Sequence, residues 1–168
     1  MMVRNTAREI AVHLSYELSF TDKSVEALLD ERLSPAYFAT LAGEDDVYQQ
    51  APDPRQAAYI RRLVTGVSEH AFELDGYISK YAIGWNFSRL PRVVVAILRV
   101  CMYEILYMQD VPDAAAINEA VELTKKYEEP ELAGFVNGIL GTFVRTETLP
   151  DAPAAPAPEG AFPEDEGE

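Results

Sequence analysis

Two arginines near the start of the chain, Arg4 and Arg8, have the residue type and spacing that suit phosphate binding. They are four residues apart, so they share one face if the helix that contains Arg8 extends back to Arg4. Exposed N–H groups at the start of a helix also favour phosphate. The spacing is compatible with a nucleic-acid contact and, equally, with an ordinary solvated N-terminus.

Common catalytic signatures are absent from the sequence: it has no Walker A loop, no G-x-G-x-x-G, no H-E-x-x-H and no C-x-x-C. His13 and His70 fall on different predicted helices, and we expect both to be surface or half-buried residues and not ligands. The single cysteine, Cys101, excludes an internal disulfide and is expected in the core. Arg99 is expected to pair with a carboxylate of a neighbouring helix, and the alternative is an enzyme that holds an anionic substrate there. We therefore predict no catalytic residue, no metal ligand and no enzyme activity.

Length and hydropathy predict one compact domain in the cytoplasm. The chain has 168 residues, 48% of them hydrophobic. No export signal is evident at its N-terminus. The longest apolar run, Val93 to Met108, is shorter than the roughly 20 residues that span a bilayer, and it carries Arg99 and Glu104. We expect this run to be a buried central helix and predict no membrane contact.

The charge is distributed unevenly. The formal net charge is −14, and half of it lies in residues 147–168, which contain acidic residues and no lysine or arginine. This segment is also rich in proline and alanine, so we predict a disordered acidic tail. The body remains acidic, so any RNA site must be a local basic patch.

Helical periodicity and capping signals cover nearly all of the remaining chain, which predicts an all-α fold. Thr6 to Glu9 has the pattern of a capping box, and Ser34-Pro35 and Asp53-Pro54 each offer an N-cap followed by a first-turn proline. Asp45 and Asp46 lie in a segment that we expect to be a solvated loop. No period-2 strand pair is present.

Several motifs in the C-terminal half resemble the NusB family, in the same order along the chain. They are Trp85, Arg89-Leu90, Val93, Ile97-Leu98-Arg99, Tyr103-Glu104, Asp110-Val111-Pro112, Ala116 to Leu123, Lys125-Lys126-Tyr127 and Phe135 to Leu140, with Ala7-Arg8-Glu9 at the N-terminus. The resemblance spans roughly residues 4–145 and is weak over 20–55.

The resemblance implies a helical bundle of two packed three-helix halves over residues 1–146, followed by the tail at 147–168. It implies a transcription antitermination factor that binds boxA RNA of ribosomal RNA operon transcripts together with ribosomal protein NusE. It further implies that the pair joins an antitermination complex on RNA polymerase. No metal or small cofactor is implied.

The resemblance also assigns candidate contact residues. Arg4 and Arg8 are expected to hold phosphates, while Asn5 and Thr6, which occupy places where the family usually has arginines, add hydrogen bonds. Phe135 either stacks on a base or packs in the core. The expected NusE surface consists of Ser88, Arg89 and Arg92.

The missing arginines leave a second interpretation open. Fewer cations mean fewer released counterions and weaker RNA binding. The alternative to an RNA-binding adaptor is therefore a helical protein-interaction module with little intrinsic RNA affinity.

Overall fold

The computed structural model describes residues 2–41 and 43–148, and this part of the chain is all-helical, as predicted. Its helices are α1 (Arg4–Leu18), α2 (Val25–Arg32), α3 (Pro35–Thr40), α4 (Pro54–Glu69), α5 (Ala71–Tyr81), α6 (Arg92–Tyr107), α7 (Asp113–Tyr127) and α8 (Pro130–Glu147). Two short 3-10 turns, Asp46–Tyr48 and Phe87–Arg89, lie in the connections.

Two of the three predicted helix N-caps, Ser34 and Asp53, are confirmed. Ser34 Oγ accepts from the Tyr37 N–H at 3.2 Å and Asp53 Oδ1 from the Gln56 N–H at 2.9 Å, each just before a first-turn proline. The prediction of a capping box from Thr6 to Glu9 is wrong. Helix α1 begins earlier because the Ala7 N–H already donates to the Val3 carbonyl at 3.1 Å, so Thr6 lies inside the first turn.

The described residues divide into two compact units, which fall within Met1–Phe72 and Glu73–Glu168. In the first unit, α1, α2 and α4 contact one another, and α3 packs on α2. Its fully enclosed side chains include Ile10, Leu28, Leu29, Ile60 and Leu63. Removing such apolar surface from water is the main driving force for folding.

In the second unit, α6, α7 and α8 contact one another. Helix α6 is the predicted buried helix, and Leu98 and Met102 on it are 0% exposed. Arg99 has the carboxylate partner expected for it, since its Nε and Nη2 each donate to Asp75 of α5 at 2.7 Å. Cys101 is buried, as expected.

The C-terminal end of α8 is held by polar contacts to α5. Glu147 accepts hydrogen bonds from Lys80 Nζ at 2.8 Å and from the Tyr81 hydroxyl. Burial, together with the bond to Glu147, raises the pKa of Tyr81 to about 12. Glu147, the first residue of the predicted tail, is thus the last residue of α8, and the tail from Leu149 onward lies outside the described residues.

Within the described ranges, no helix is both long enough and apolar enough to cross a membrane.

Candidate nucleic-acid and partner interfaces

Arg4, in the first turn of α1, lies over an aromatic ring of α4. Its guanidinium carbon is 4.6 Å from the centroid of the Tyr59 ring, and the Arg4 side chain remains half-exposed while Tyr59 is buried. A cation over an aromatic face is attracted by the electrons of the ring, which favours this position of the guanidinium. Arg4 is therefore oriented and partly open to solvent, as a phosphate-binding arginine must be.

Arg8 is in a different environment from Arg4, although the helix does extend back far enough for the two to share a face. Only 4% of Arg8 is exposed, and its Nη1 donates to Asn5 Oδ1 at 2.7 Å. Asn5 itself is exposed. The arrangement suits an arginine that orients the Asn5 side chain better than one that meets a phosphate directly.

Two further arginines belong to the same part of the first unit and were missed by the sequence analysis. Arg55 and Arg62 are exposed and lie four residues before and three residues after Tyr59 on α4. At this spacing they flank Tyr59 on one side of the helix, where Arg4 stacks. The signal was present in the sequence, but only the contact between α1 and α4 shows that the three arginines belong together.

Thr6 lines a shallow pocket between the start of α1 and the segment around the 3-10 turn at Asp46–Tyr48. The pocket is lined by Met2, Val3, Thr6, Asp46, Val47, Gln49 and Gln50. Met2 and Val47 are buried, whereas Gln49 and Gln50 are exposed. The pocket thus combines buried apolar residues with side-chain amides, a hydroxyl and the Asp46 carboxylate, all of which can hydrogen-bond a base edge.

In the second unit, Phe135 of α8 pairs with Trp85. Their ring centroids are 5.0 Å apart at an interplanar angle of 50°. Phe135 is half-exposed and Trp85 is 47% exposed, so the pair lies at the surface of the unit and is not enclosed in its core. Gly84, with a φ of 84°, makes the left-handed turn between α5 and Trp85.

Ser88, Arg89 and Arg92 are all exposed, around the 3-10 turn Phe87–Arg89 and the first residue of α6. The turn is fixed by Asn86, whose Oδ1 accepts from the Ser88 N–H at 3.0 Å and from the Ser88 hydroxyl at 2.8 Å. These three residues are therefore presented on a defined surface of the second unit.

The chain is similar to known proteins over most of its length. The model of the NusB family matches residues 5–145. A transcription antitermination protein NusB from Acetivibrio thermocellus is 37% identical over 148 residues, covering 88% of this chain and 92% of the relative. One from Clostridium botulinum (strain Kyoto / Type A2) is 31% identical over 143 residues, covering 85% and 100%.

The fold of this chain is also similar to that of solved structures. NusB from T. maritima matches with a TM-score of 0.72 and 28% identity, covering 86% of this chain and 92% of that one. A chain in a structure described as a plectonemic RNA supercoil matches with a TM-score of 0.66 and 25% identity, covering 86% and 96%.

The helix order and these similarities define an all-α protein whose relatives are transcription antitermination proteins. The chain belongs to the NusB family.

Proposed function

We propose that this protein promotes antitermination by binding boxA RNA of ribosomal RNA operon transcripts together with ribosomal protein NusE, within a complex on RNA polymerase. It acts in the cytoplasm, by binding and not by catalysis. The observation that supports RNA binding most directly is Arg4, which is stacked on Tyr59 and still half-exposed.

The RNA contact of the first unit centres on α1 and α4. Arg4, Arg55 and Arg62 supply cationic donors for phosphates, while Asn5 and Thr6 supply hydrogen bonds. Arg8 acts through Asn5, whose Oδ1 it holds at 2.7 Å. Phosphate contacts fix the position of a nucleic acid, and hydrogen bonds to base edges give it sequence preference.

Phe135 contributes base stacking from the second unit. Single-stranded RNA is commonly recognised by aromatic side chains on which unstacked bases lie. Phe135 is partly exposed and lies 5.0 Å from Trp85, so its ring is held by a neighbour and is still open in part to a base.

Ser88, Arg89 and Arg92 form the proposed NusE surface. All three are exposed, and the capped 3-10 turn keeps the Ser88–Arg89 backbone in one conformation. Two arginines and a hydroxyl favour an acidic or carbonyl-rich partner surface. Rim charges of this kind change the association rate and its salt dependence more than the final affinity.

The test is boxA RNA binding, measured with and without NusE at 0.05 and 0.2 M salt. We expect weak binding alone, stronger binding with NusE, and a shallow slope of log K against log salt of roughly −1.5 to −3, given about −0.7 per phosphate for single strands. Arg4→Ala should weaken binding, whereas Arg145→Ala, an exposed arginine of α8, serves as the matched control.

NusE binding is followed separately, without RNA. Arg89→Glu should weaken it and leave RNA binding by the protein alone unchanged. If wild-type protein binds NusE but shows no salt-dependent boxA binding in any mixture, the chain is the protein-interaction module with little RNA affinity, and the RNA site is wrong.

A further inference from the structure

A cluster of metal-ligating residues lies in the first unit, formed by α1 and the segment that precedes α4. Glu9, His13 and Asp45 each offer a ligand atom, and these atoms lie within 4.8 Å of one another. Glu9 and His13 are four residues apart on α1, so they share a face. Asp45 immediately precedes the 3-10 turn Asp46–Tyr48.

We propose that Glu9, His13 and Asp45 form a site for a divalent transition-metal ion, of which Zn²⁺ is the representative. The donor set of one imidazole and two carboxylates suits such ions, whereas Mg²⁺ and Ca²⁺ prefer oxygen donors alone. Water completes the coordination. The role of the ion is structural: it joins α1 to the Asp45–Tyr48 segment.

The surroundings of His13 hold its ring in an orientation that suits coordination. His13 Nδ1 is 2.5 Å from the Tyr48 hydroxyl, and His13 Nε2 is 3.9 Å from Glu9 Oε2. When Nδ1 donates its proton to Tyr48, the lone pair is on Nε2, toward the Glu9 carboxylate. Metal-bound histidines regularly use the second ring nitrogen in this way, which fixes the tautomer and the ring.

Tyr48 is itself held in place. Its ring packs edge-on against Phe38, with centroids 5.6 Å apart, and lies 5.5 Å from the His13 ring. The side chain of Glu9 is 10% exposed and that of His13 21%, so the cluster is sheltered from bulk water without being sealed from it. An ion can therefore enter, and it gains more from the carboxylates here than at a fully solvated site.

The geometry needs only a small adjustment. At metal–ligand distances of about 2.0–2.2 Å, tetrahedral ligand atoms lie roughly 3.4 Å apart. The present atoms, which lie within 4.8 Å of one another, must therefore approach by up to about 1.4 Å on binding. Asp45 Oδ1 already accepts from the Val47 N–H at 3.2 Å, and the second carboxylate oxygen allows Asp45 to keep this bond while it coordinates.

The test uses the untagged, full-length protein after treatment with a chelator. Zn²⁺ affinity is measured by competition with a chromophoric chelator, and Co²⁺ is used to observe the ligand field by absorption. His13→Gln is compared with His70→Gln, because the sequence contains only these two histidines and both variants keep every acidic residue. Circular dichroism checks that each variant is folded, and Asp45→Asn is the second ligand variant should His13→Gln fail to fold.

We expect one Zn²⁺ per chain, at least tenfold weaker binding in His13→Gln and Asp45→Asn, and unchanged binding in His70→Gln. Zn²⁺ should also raise the melting temperature of wild-type protein, because an ion that binds only the folded state stabilises it. Mg²⁺ should have no such effect. Equal Zn²⁺ affinity in the two histidine variants would place the ion at other carboxylates and overturn the site. None of these measurements uses RNA, so they stand or fall apart from the proposed function.

Discussion

Replacing Arg8 by alanine distinguishes an arginine that orients a neighbour from one that binds a phosphate. The sequence suggests that Arg4 and Arg8 are equivalent, four residues apart on one helix. In the structure, Arg4 is half-exposed on Tyr59, whereas Arg8 is 4% exposed and donates to Asn5. The two alanine variants should therefore differ in both stability and RNA binding.

The expected loss of stability for Arg8→Ala is about 2 kcal/mol. A hydrogen bond from a charged group contributes about 1.5–3 kcal/mol, and the low end applies because exposed Asn5 can bond to water once Arg8 is gone. Removing the buried methylenes of the Arg8 stem adds a packing loss of about 0.8 kcal/mol per group, partly offset because the guanidinium is no longer desolvated. Arg4→Ala loses a cation–π contact at a partly exposed position, which contributes about 0.5–1 kcal/mol.

The salt dependence of RNA binding should change in Arg4→Ala, the variant that loses less stability, and not in Arg8→Ala. Arg4→Ala removes one phosphate contact, so the slope of log K against log salt should become shallower by about 0.7. Arg8→Ala should keep the wild-type slope. It should lose roughly fivefold in affinity, the value of one ordinary hydrogen bond of about 1 kcal/mol, because Asn5 is no longer oriented.

Urea denaturation followed by circular dichroism gives the stabilities, and fluorescence titration with boxA RNA at several salt concentrations gives the slopes. Arg145→Ala is the control for loss of an exposed arginine elsewhere. The positioning role of Arg8 is refuted if Arg8→Ala is as stable as wild type within about 0.5 kcal/mol and if its slope of log K against log salt also becomes shallower by about 0.7.

Three other predictions concern the second unit and the tail. Leu98→Ala should cost about 2–5 kcal/mol in urea denaturation, since Leu98 is 0% exposed, and a loss well under 1 kcal/mol would contradict its enclosure. The pKa of Tyr81 is raised to about 12, so between about pH 10 and 12 its phenol ionises in the unfolded state but not in the folded state, and the free energy of unfolding falls as pH rises. Tyr81→Phe should therefore make the urea midpoint less dependent on pH in this range. An unchanged dependence would contradict the raised pKa. Deleting residues 149–168, which keeps Glu147 and its bonds to α5, should raise RNA affinity several-fold at 0.01 M salt, because it removes acidic residues. The gain should be much smaller at 0.15 M, where the Debye length has fallen from about 30 to about 8 Å. If full-length and truncated protein bind RNA equally at 0.01 M, the tail is merely a solubilising appendage.

Much of the fold could be predicted because its signals are local. The caps at Ser34 and Asp53 depend on residues three apart, and the all-round apolar character of α6 predicts its burial. The partner of Arg99 was predicted by class, a carboxylate on a neighbouring helix, but its identity as Asp75 was not. Polar groups in an apolar segment need a partner, whereas the choice of partner depends on how the helices pack.

The candidate sites were predicted less completely, because they depend on contacts between segments distant in sequence. Arg4 and Arg8 have the same spacing signal, and only the packing of α1 on α4 makes one half-exposed and the other buried. Similarly, Asp45 is a half-buried turn cap near His13 and not merely a loop acid. These residues are 32 positions apart along the chain, and no periodic pattern links them.

Net charge is a poor guide to RNA binding in this chain, because many of its cations are already paired. Arg32 binds Glu17 and Glu31, Lys80 binds Glu147, and Arg99 binds Asp75. Such pairs hold helices together and have little attraction left for phosphate. The charge that an RNA meets is therefore a local property, set by arginines that are at least partly exposed, such as Arg4 over Tyr59, and by acidic groups within about one Debye length of them, roughly 8 Å at physiological salt. A body with an excess of acids can consequently bind RNA through a small patch, with an affinity that responds to the removal of one arginine.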